Sequence, residues 1–410
     1  MANAERILKD LLTLKEISEP CQAGTTRIGF TPTYRRGADY FKAQMAQAGL
    51  QVREDAIGNV FGRLEGSEPG RPVIMSGSHL DTVRCAGAYD GIAGAVCALE
   101  VARMLRENQI TLRHPYEVAG IIEEEGTRFG QVLLGSKFMT GVFGEADLDR
   151  IQGGDGVTLR QALAEYALPD AVPVRRGKEE CLAVLELHDE QGPVLEAEHT
   201  DIGIVERIVA ISWLTVTVTG FAGHAGTVPM PLRQDPAFGA CRLIDRILTH
   251  TTQHYGDTAT ATVGKLELQP GSSNCIPAKC VFTVDLRSGE LATVETLTDY
   301  IRALAQAVAA ECDVTIDVQV GSKTDAIQLD EHLRDVLRRS CEATGASYRS
   351  LNSGAGHDAM VFSAHWPTAM LFIPCVKGVT HNPEEYVHPE YLAKGADVLY
   401  QAILTLDQES

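Results

Sequence analysis

Apolar residues along the chain fall into two patterns. In the first, short unbroken runs end in polar loops. Val73-Ile74-Met75 leads into SGSHLDT, residues 118–122 into EEEGTRF, residues 182–185 into ELHDEQG, and residues 370–373 into PCVKGVTHNPEE. Continuous runs of this length predict strands covered on both faces, as in a parallel sheet. Between them the period becomes helical, with Ile92, Val96, Leu99 and Ala102 on one side of residues 92–105. Residues 1–20 carry charge throughout and predict an amphipathic helix with Leu8, Leu11 and Leu12 on one face. Strands alternating with helices predict an α/β architecture with a mainly parallel sheet flanked by helices.

The second pattern occupies residues 209–322. Leu214, Val216 and Val218 alternate with polar residues, the mark of a half-exposed strand. The periodicity then predicts a helix at 235–253, strands at 258–268 and 279–286, a helix at 290–310 with Leu297, Ile301 and Leu304 in register, and a strand at 313–320. The order β-α-β-β-α-β is that of a small α+β sandwich. It is read as an inserted second domain at 209–322, with 1–208 and 323–410 forming the first domain.

The length of 410 residues fits two or three domains, and 44% hydrophobic with 22% charged residues is ordinary globular composition. Lys plus Arg is 36 and Asp plus Glu is 55, a formal net charge of −19. Such a chain repels phosphate backbones and anionic lipid, so neither nucleic acid nor membrane is an expected partner. No apolar run approaches the roughly 18 residues a bilayer span needs, and no secretory apolar core is present. The ten scattered cysteines contain no CxxC pair and read as reduced thiols of a cytoplasmic protein, with Cys97, Cys181 and Cys241 in apolar, buried settings.

Candidate chemistry clusters where the four apolar strands end. His79 and Asp81 follow the first, with Asp90 beyond; Glu123, Glu124 and Glu125 follow the second; His188 follows the third; His381 lies in the loop after the fourth. In open α/β sheets ligands bind outside the carboxyl ends of the strands, so residues some 300 positions apart would converge. One loop histidine alone is usually a surface residue, and a run of glutamates is usually a solvated face. The weight lies in the joint pattern. Imidazole with carboxylate suits zinc, manganese, cobalt or nickel. Five good candidates suffice for two ions if one carboxylate bridges them, at the spacing of about 3.5–4 Å that activates a shared water.

Taken together, SGSHLDT, the Asp of AYDG, EEEGTRF, LHDEQG, GHAGTVPM, SGAGHDA and THNPEE resemble, in order and over nearly the whole chain, one family. It is the amidase/hydantoinase/carbamoylase branch of the dinuclear zinc aminopeptidase-like hydrolases. This branch includes N-carbamoyl-L-amino acid hydrolases, allantoate amidohydrolases and β-ureidopropionases. The resemblance implies two divalent metal ions per subunit, with His79, Asp90 and His188 on one, Glu125 and His381 on the other, and Asp90 bridging. It implies Glu124 as general base and Asp81 as the group that hydrogen-bonds the ring of His79. It further implies that His224 reaches a partner subunit's site to hold the oxyanion, that Asn274 and Arg287 hold the substrate carboxylate, and that Gln191 and the Gly356–His357 segment line the pocket. Arg suits that task through its planar fork.

The expected activity is hydrolysis of the ureido C–N bond of a small carboxylate, an N-carbamoyl-L-amino acid, with allantoate or a β-ureido acid as the alternative. A homodimer paired through the inserted lid domain is implied as well. The family varies after Glu206 between segments with and without glutamine and arginine; here Val209-Ala210-Ile211-Ser212-Trp213 has neither, a departure that bears on substrate choice. SGAGHDA also scans as a dinucleotide fingerprint, but no apolar strand feeds it. A metal-retaining protein without activity is disfavoured, because every ligand and the base are present.

Overall fold

The computed structural model describes residues 1–168 and 170–410. The chain divides into two compact units, Met1–Glu206 with Leu329–Ser410, and Arg207–Gln328.

In the first unit, the strands Tyr116–Ile121, Val73–His79, Cys181–Asp189 and Thr368–Ile373 lie side by side in that order and run parallel. Both margins are antiparallel: Val60–Leu64 and then Gln51–Glu54 on one side, Ile202–Ile208 on the other. The four central strands are those of the unbroken apolar runs. Helices cover them on both faces, so no position alternates outward to water.

The helix Ile92–Glu107 is buried all round as far as Leu105, rather than on one side. It packs between the central strands and the helices Ala4–Glu16 and Pro389–Glu409. The N-terminal helix also departs from expectation. Its inward stripe is Ile7, Leu11 and Leu14, whereas Leu12 is 43% exposed. Ile7, Leu11 and Leu14 at i, i+4 and i+7 make the fully buried stripe, and on the same roll Arg6 Nη2 lies 2.7 Å from Oε1 of Glu100, whose side chain is fully buried.

The second unit is an antiparallel sheet of Leu266–Gln269, Lys279–Ser288, Ala210–Thr219 and Thr315–Thr324, with Ala259–Thr262 also pairing Lys279–Ser288. Leu214, Val216, Val218, Phe282, Val284 and Leu286 form one face of the core. The helices Pro236–Tyr255 and Leu291–Cys312 cover that face. The strand expected at 258–268 is two strands, which pair with opposite ends of Lys279–Ser288. Val263-Gly264-Lys265 lies between them, and the glycine weakens a continuous ladder there.

The unit also extends beyond the expected 209–322, because Thr315–Thr324 keeps pairing with Ala210–Thr219, across a register shift between Val320 and Ser322, out to Thr324 opposite Ile211. Cys97 and Cys181 are buried, but Cys241 is exposed. It follows Ala240, which faces the sheet, and one step of 100° turns it to solvent. Among the described residues the ten cysteines form no disulfide, and no helix is long and apolar enough to cross a membrane.

Candidate metal centre

Parallel pairing brings the carboxyl ends of all four central strands to one edge of the sheet. His79 ends Val73–His79, and His188 is the penultimate residue of Cys181–Asp189. Asp90 stands just before Ile92–Glu107, Glu123–Glu125 follow Tyr116–Ile121, and His381 lies beyond Thr368–Ile373. Two donor groups result, each with ligand atoms within 4.8 Å of one another: His79, Asp90 and His188; and Asp90, Glu125 and His381. Asp90 belongs to both. Its Oδ1 is 3.6 Å from His79 Nε2 and 3.3 Å from His188 Nε2, while its Oδ2 is 3.0 Å from His381 Nε2. Glu124 groups with His79 and Glu125.

The chemistry of these donors suits divalent cations. His79 Nδ1 donates to the carbonyl of Asp81 and His188 Nδ1 to that of Asp189, each at 3.0 Å. These bonds leave each Nε2 facing Asp90, free to turn to an ion once the ring is neutral, the arrangement of metal-binding imidazoles. Asp81, Asp90, Glu124, Asp189 and Glu385 are all buried nearby, an accumulation of carboxylates that calls for cations.

The clustered charges shift one another strongly. Burial opposes charge on the His79 ring, yet its hydrogen bond to Asp90 and the charges of Glu124, Asp90 and Asp81 raise its pKa well above the usual value. Burial pushes Asp90 up, but hydrogen bonds from His188, His381 and His79 outweigh it and hold Asp90 well below the ordinary carboxylate range. Burial also lifts Glu124 well above its ordinary value, with Asp358 and Glu125 adding to the rise against the opposing charge of His79. His381 is raised to about 10 by its hydrogen bonds to Asp90 and Glu125.

Backbone strain gathers here. Glu123 (φ 55°), Gln191 (φ 55°) and His381 (φ 54°) all occupy the left-handed region. Such conformations persist only where the surroundings over-determine them. Gly91 has φ 70°, and a Cβ there would lie 2.3 Å from His79 Nε2, so only glycine lets the imidazole stand where it does.

The sequence-derived residues divide between the two units. Beside the five ligand candidates, Glu124 and Asp81, the first unit holds Gln191, whose Nε2 donates to Asp90 Oδ1 at 3.1 Å. It also holds Gly356, next to His357, whose ring lies 4.5 Å from that of His188. Asp81 does not make the expected carboxylate contact. Its nearer oxygen is 3.9 Å from His79 Nδ1, and the ring is held by the Asp81 carbonyl instead. The reason is competition, since the Asp81 carboxylate accepts the main-chain N–H groups of Glu124 and Glu125 at 3.1 and 3.2 Å.

His224, Asn274 and Arg287 belong to the second unit. His224 stands opposite Cys275 in a short ladder, and Ala225 N donates to the Asn274 carbonyl at 3.0 Å. Arg287 is held by Asp285, which accepts from Nε and Nη2 at 2.9 Å each.

Sequence reasoning missed Glu385, Asp189, Glu186 and Asp358, all buried around the centre. Glu385 is pushed up to about 8, chiefly by burial, with Asp189 and Asp90 adding to it. The signal available was position alone: Glu385 closes the string that carries His381, and Asp189 follows His188.

Fold and site together define a member of the peptidase family M20/M25/M40, to which the chain belongs through residues 75–405. Within that family it lies among the hydantoinase/carbamoylase amidases. It is 39% identical over 409 residues to the N-carbamoyl-L-amino-acid amidohydrolase of Paenarthrobacter aurescens, covering 99% of each chain. To the allantoate amidohydrolase of Escherichia coli (strain K12) it is 35% identical, covering 92% of this chain and 91% of that one. A crystal structure of an amidase of the hydantoinase/carbamoylase family from Burkholderia multivorans matches it with a TM-score of 0.94 at 33% identity, covering 99% and 98% of the two chains.

Proposed function

We propose that the protein is a metal-dependent amidohydrolase that cleaves the ureido C–N bond of an N-carbamoyl-L-amino acid, releasing the amino acid with ammonia and carbon dioxide. The observation that carries this reading is Asp90, one carboxylate shared by two histidine-bearing donor groups with Glu124 beside both. The relatives named for N-carbamoyl-L-amino acids support the choice of substrate. His79, Asp90 and His188 would hold one divalent ion and Asp90, Glu125 and His381 the other, with zinc or manganese the ions chiefly expected and cobalt or nickel also suited. Bound there, the ions supply Lewis-acid polarisation and acidify water.

The chain's own residues do the rest. Glu124 takes the proton of the attacking water and returns it to the amino acid nitrogen as the C–N bond breaks. Gln191, already bonded to Asp90, orients the substrate beside the centre. Gly356 lines the pocket. His224 holds the developing oxyanion, and Asn274 and Arg287 grip the substrate carboxylate; Arg287 does so by exchanging Asp285 for it. In this reading the second unit is a lid and the seat of a homodimer.

Allantoate is the second reading, since a relative bearing that name matches nearly as much of the chain. A substrate panel on manganese-reconstituted protein separates the two. Ammonia release faster on N-carbamoyl-L-amino acids than on allantoate is the expected result, and the reverse order replaces the first reading with the second. Glu124→Gln should keep its metal and lose at least ~100-fold in kcat; near-normal turnover removes the base assignment.

A further inference from the structure

We propose that Glu385 is a positioning residue that sets the separation of Asp90 and His381, and through it the affinity of the centre for its ions. The inference rests on the metal reading above. Asp90 and His381 come from segments some 290 positions apart, and among the described residues no main-chain hydrogen bond joins residues 87–90 to residues 380–385. Side chains alone hold the two segments together, and Glu385 is the hub.

One of its oxygens, Oε2, accepts the main-chain N–H of Tyr89 at 2.8 Å and of Asp90 at 3.2 Å. The other, Oε1, accepts the hydroxyl of Thr380 at 3.1 Å, next to His381. The Thr380 oxygen is in turn 3.5 Å from Asp90 Oδ2 and 3.4 Å from Gln191 Nε2. Glu385 is only 5% exposed, and its own N–H donates to the Asn382 carbonyl at 3.0 Å. The side chain is pressed against Gly87 so closely that a Cβ there would lie 2.1 Å from Oε2. A carboxyl group wedged between the two segments, bonded to the backbone of one ligand and to the neighbour of another, leaves little freedom to the gap between them. Outer groups of this kind commonly change metal affinity by about 10–100-fold.

The test is equilibrium dialysis against manganese in graded chelator, with ions per chain counted by elemental analysis, and thermal unfolding of the metal-free protein alongside. Glu385→Ala should weaken manganese binding at least tenfold. Glu385→Gln should stay within about threefold of the parent, because its amide oxygen can take the two N–H groups and its NH2 can donate to Thr380. A merely structural role would lower the melting temperature without moving the ion count. Parent-like binding by the alanine variant overturns the proposal, as does a glutamine variant that loses as much as alanine. Should the alanine variant not fold, Thr380→Val poses the same question on a side chain of equal size: weaker binding supports the proposal and unchanged binding overturns it. Absence of bound ions from the parent would instead remove the metal reading itself.

Discussion

At the scale of single residues, the centre depends on positions where the side chain is less informative than its absence. Gly91 lets the ring of His79 stand against the main chain, and its φ of 70° is one an L-residue adopts only at a cost. Gly91→Ala is expected to cost about 1–2 kcal/mol in strain and to weaken manganese binding at least tenfold. Urea unfolding of the metal-free protein and dialysis of the loaded protein check the two effects separately. An alanine variant that binds manganese like the parent would show that the ring relaxes freely. His79, Asp90, Glu125, His188 and His381 were legible as candidates because imidazoles and carboxylates after buried strands are costly without a partner. Glu385 was not, because its importance lies in what its carboxyl oxygens touch. The role of Asp81 was half legible: its proximity to His79 is real, but the main chain of Glu124 and Glu125 has claimed its carboxylate.

At the scale of elements, unbroken apolar runs reported burial on both faces, and the four strands they marked are the parallel ones. Helix orientation was less legible. The periodicity of residues 4–16 admits more than one inward face, and the stripe of Ile7, Leu11 and Leu14 is the one buried, with Arg6 paired to Glu100. The choice has a measurable consequence. Leu11→Ala should cost about 2–5 kcal/mol, as expected of a fully buried leucine. Leu12→Ala, on the exposed side, should stay within about 0.5 kcal/mol. Chemical denaturation of both variants decides the matter, and equal losses would mean the helix is rolled otherwise. The strand expected at 258–268 failed for a similar reason, because propensity marks extended chain without saying which partner each half will pair.

At the scale of the whole molecule, two separate hydrophobic cores divide the proposed machinery. The ion ligands and Glu124 belong to one unit, and His224, Asn274 and Arg287 to the other. If His224 serves the site of a partner subunit, inactive subunits should complement each other. Mixing His224→Ala with Glu124→Gln subunits should restore up to about a quarter of parental activity, since one site in each mixed dimer is intact and half the dimers are mixed. Ammonia release after co-refolding measures this. Mixed dimers shown to form yet remaining inactive would place His224 in its own subunit's site or outside catalysis.

The order of apolar and polar residues was enough to establish a buried parallel sheet, an inserted antiparallel unit, and the residue types poised at the strand ends. Burial and hydrogen-bond capacity are local demands, and each segment states its own. Which oxygen of Asp90 meets which imidazole, why Asp81 turns to the backbone, and how Glu385 spans two distant loops were settled only by tertiary structure. Those are competitions among groups far apart in the chain, and they have no outcome until folding has brought the competitors together.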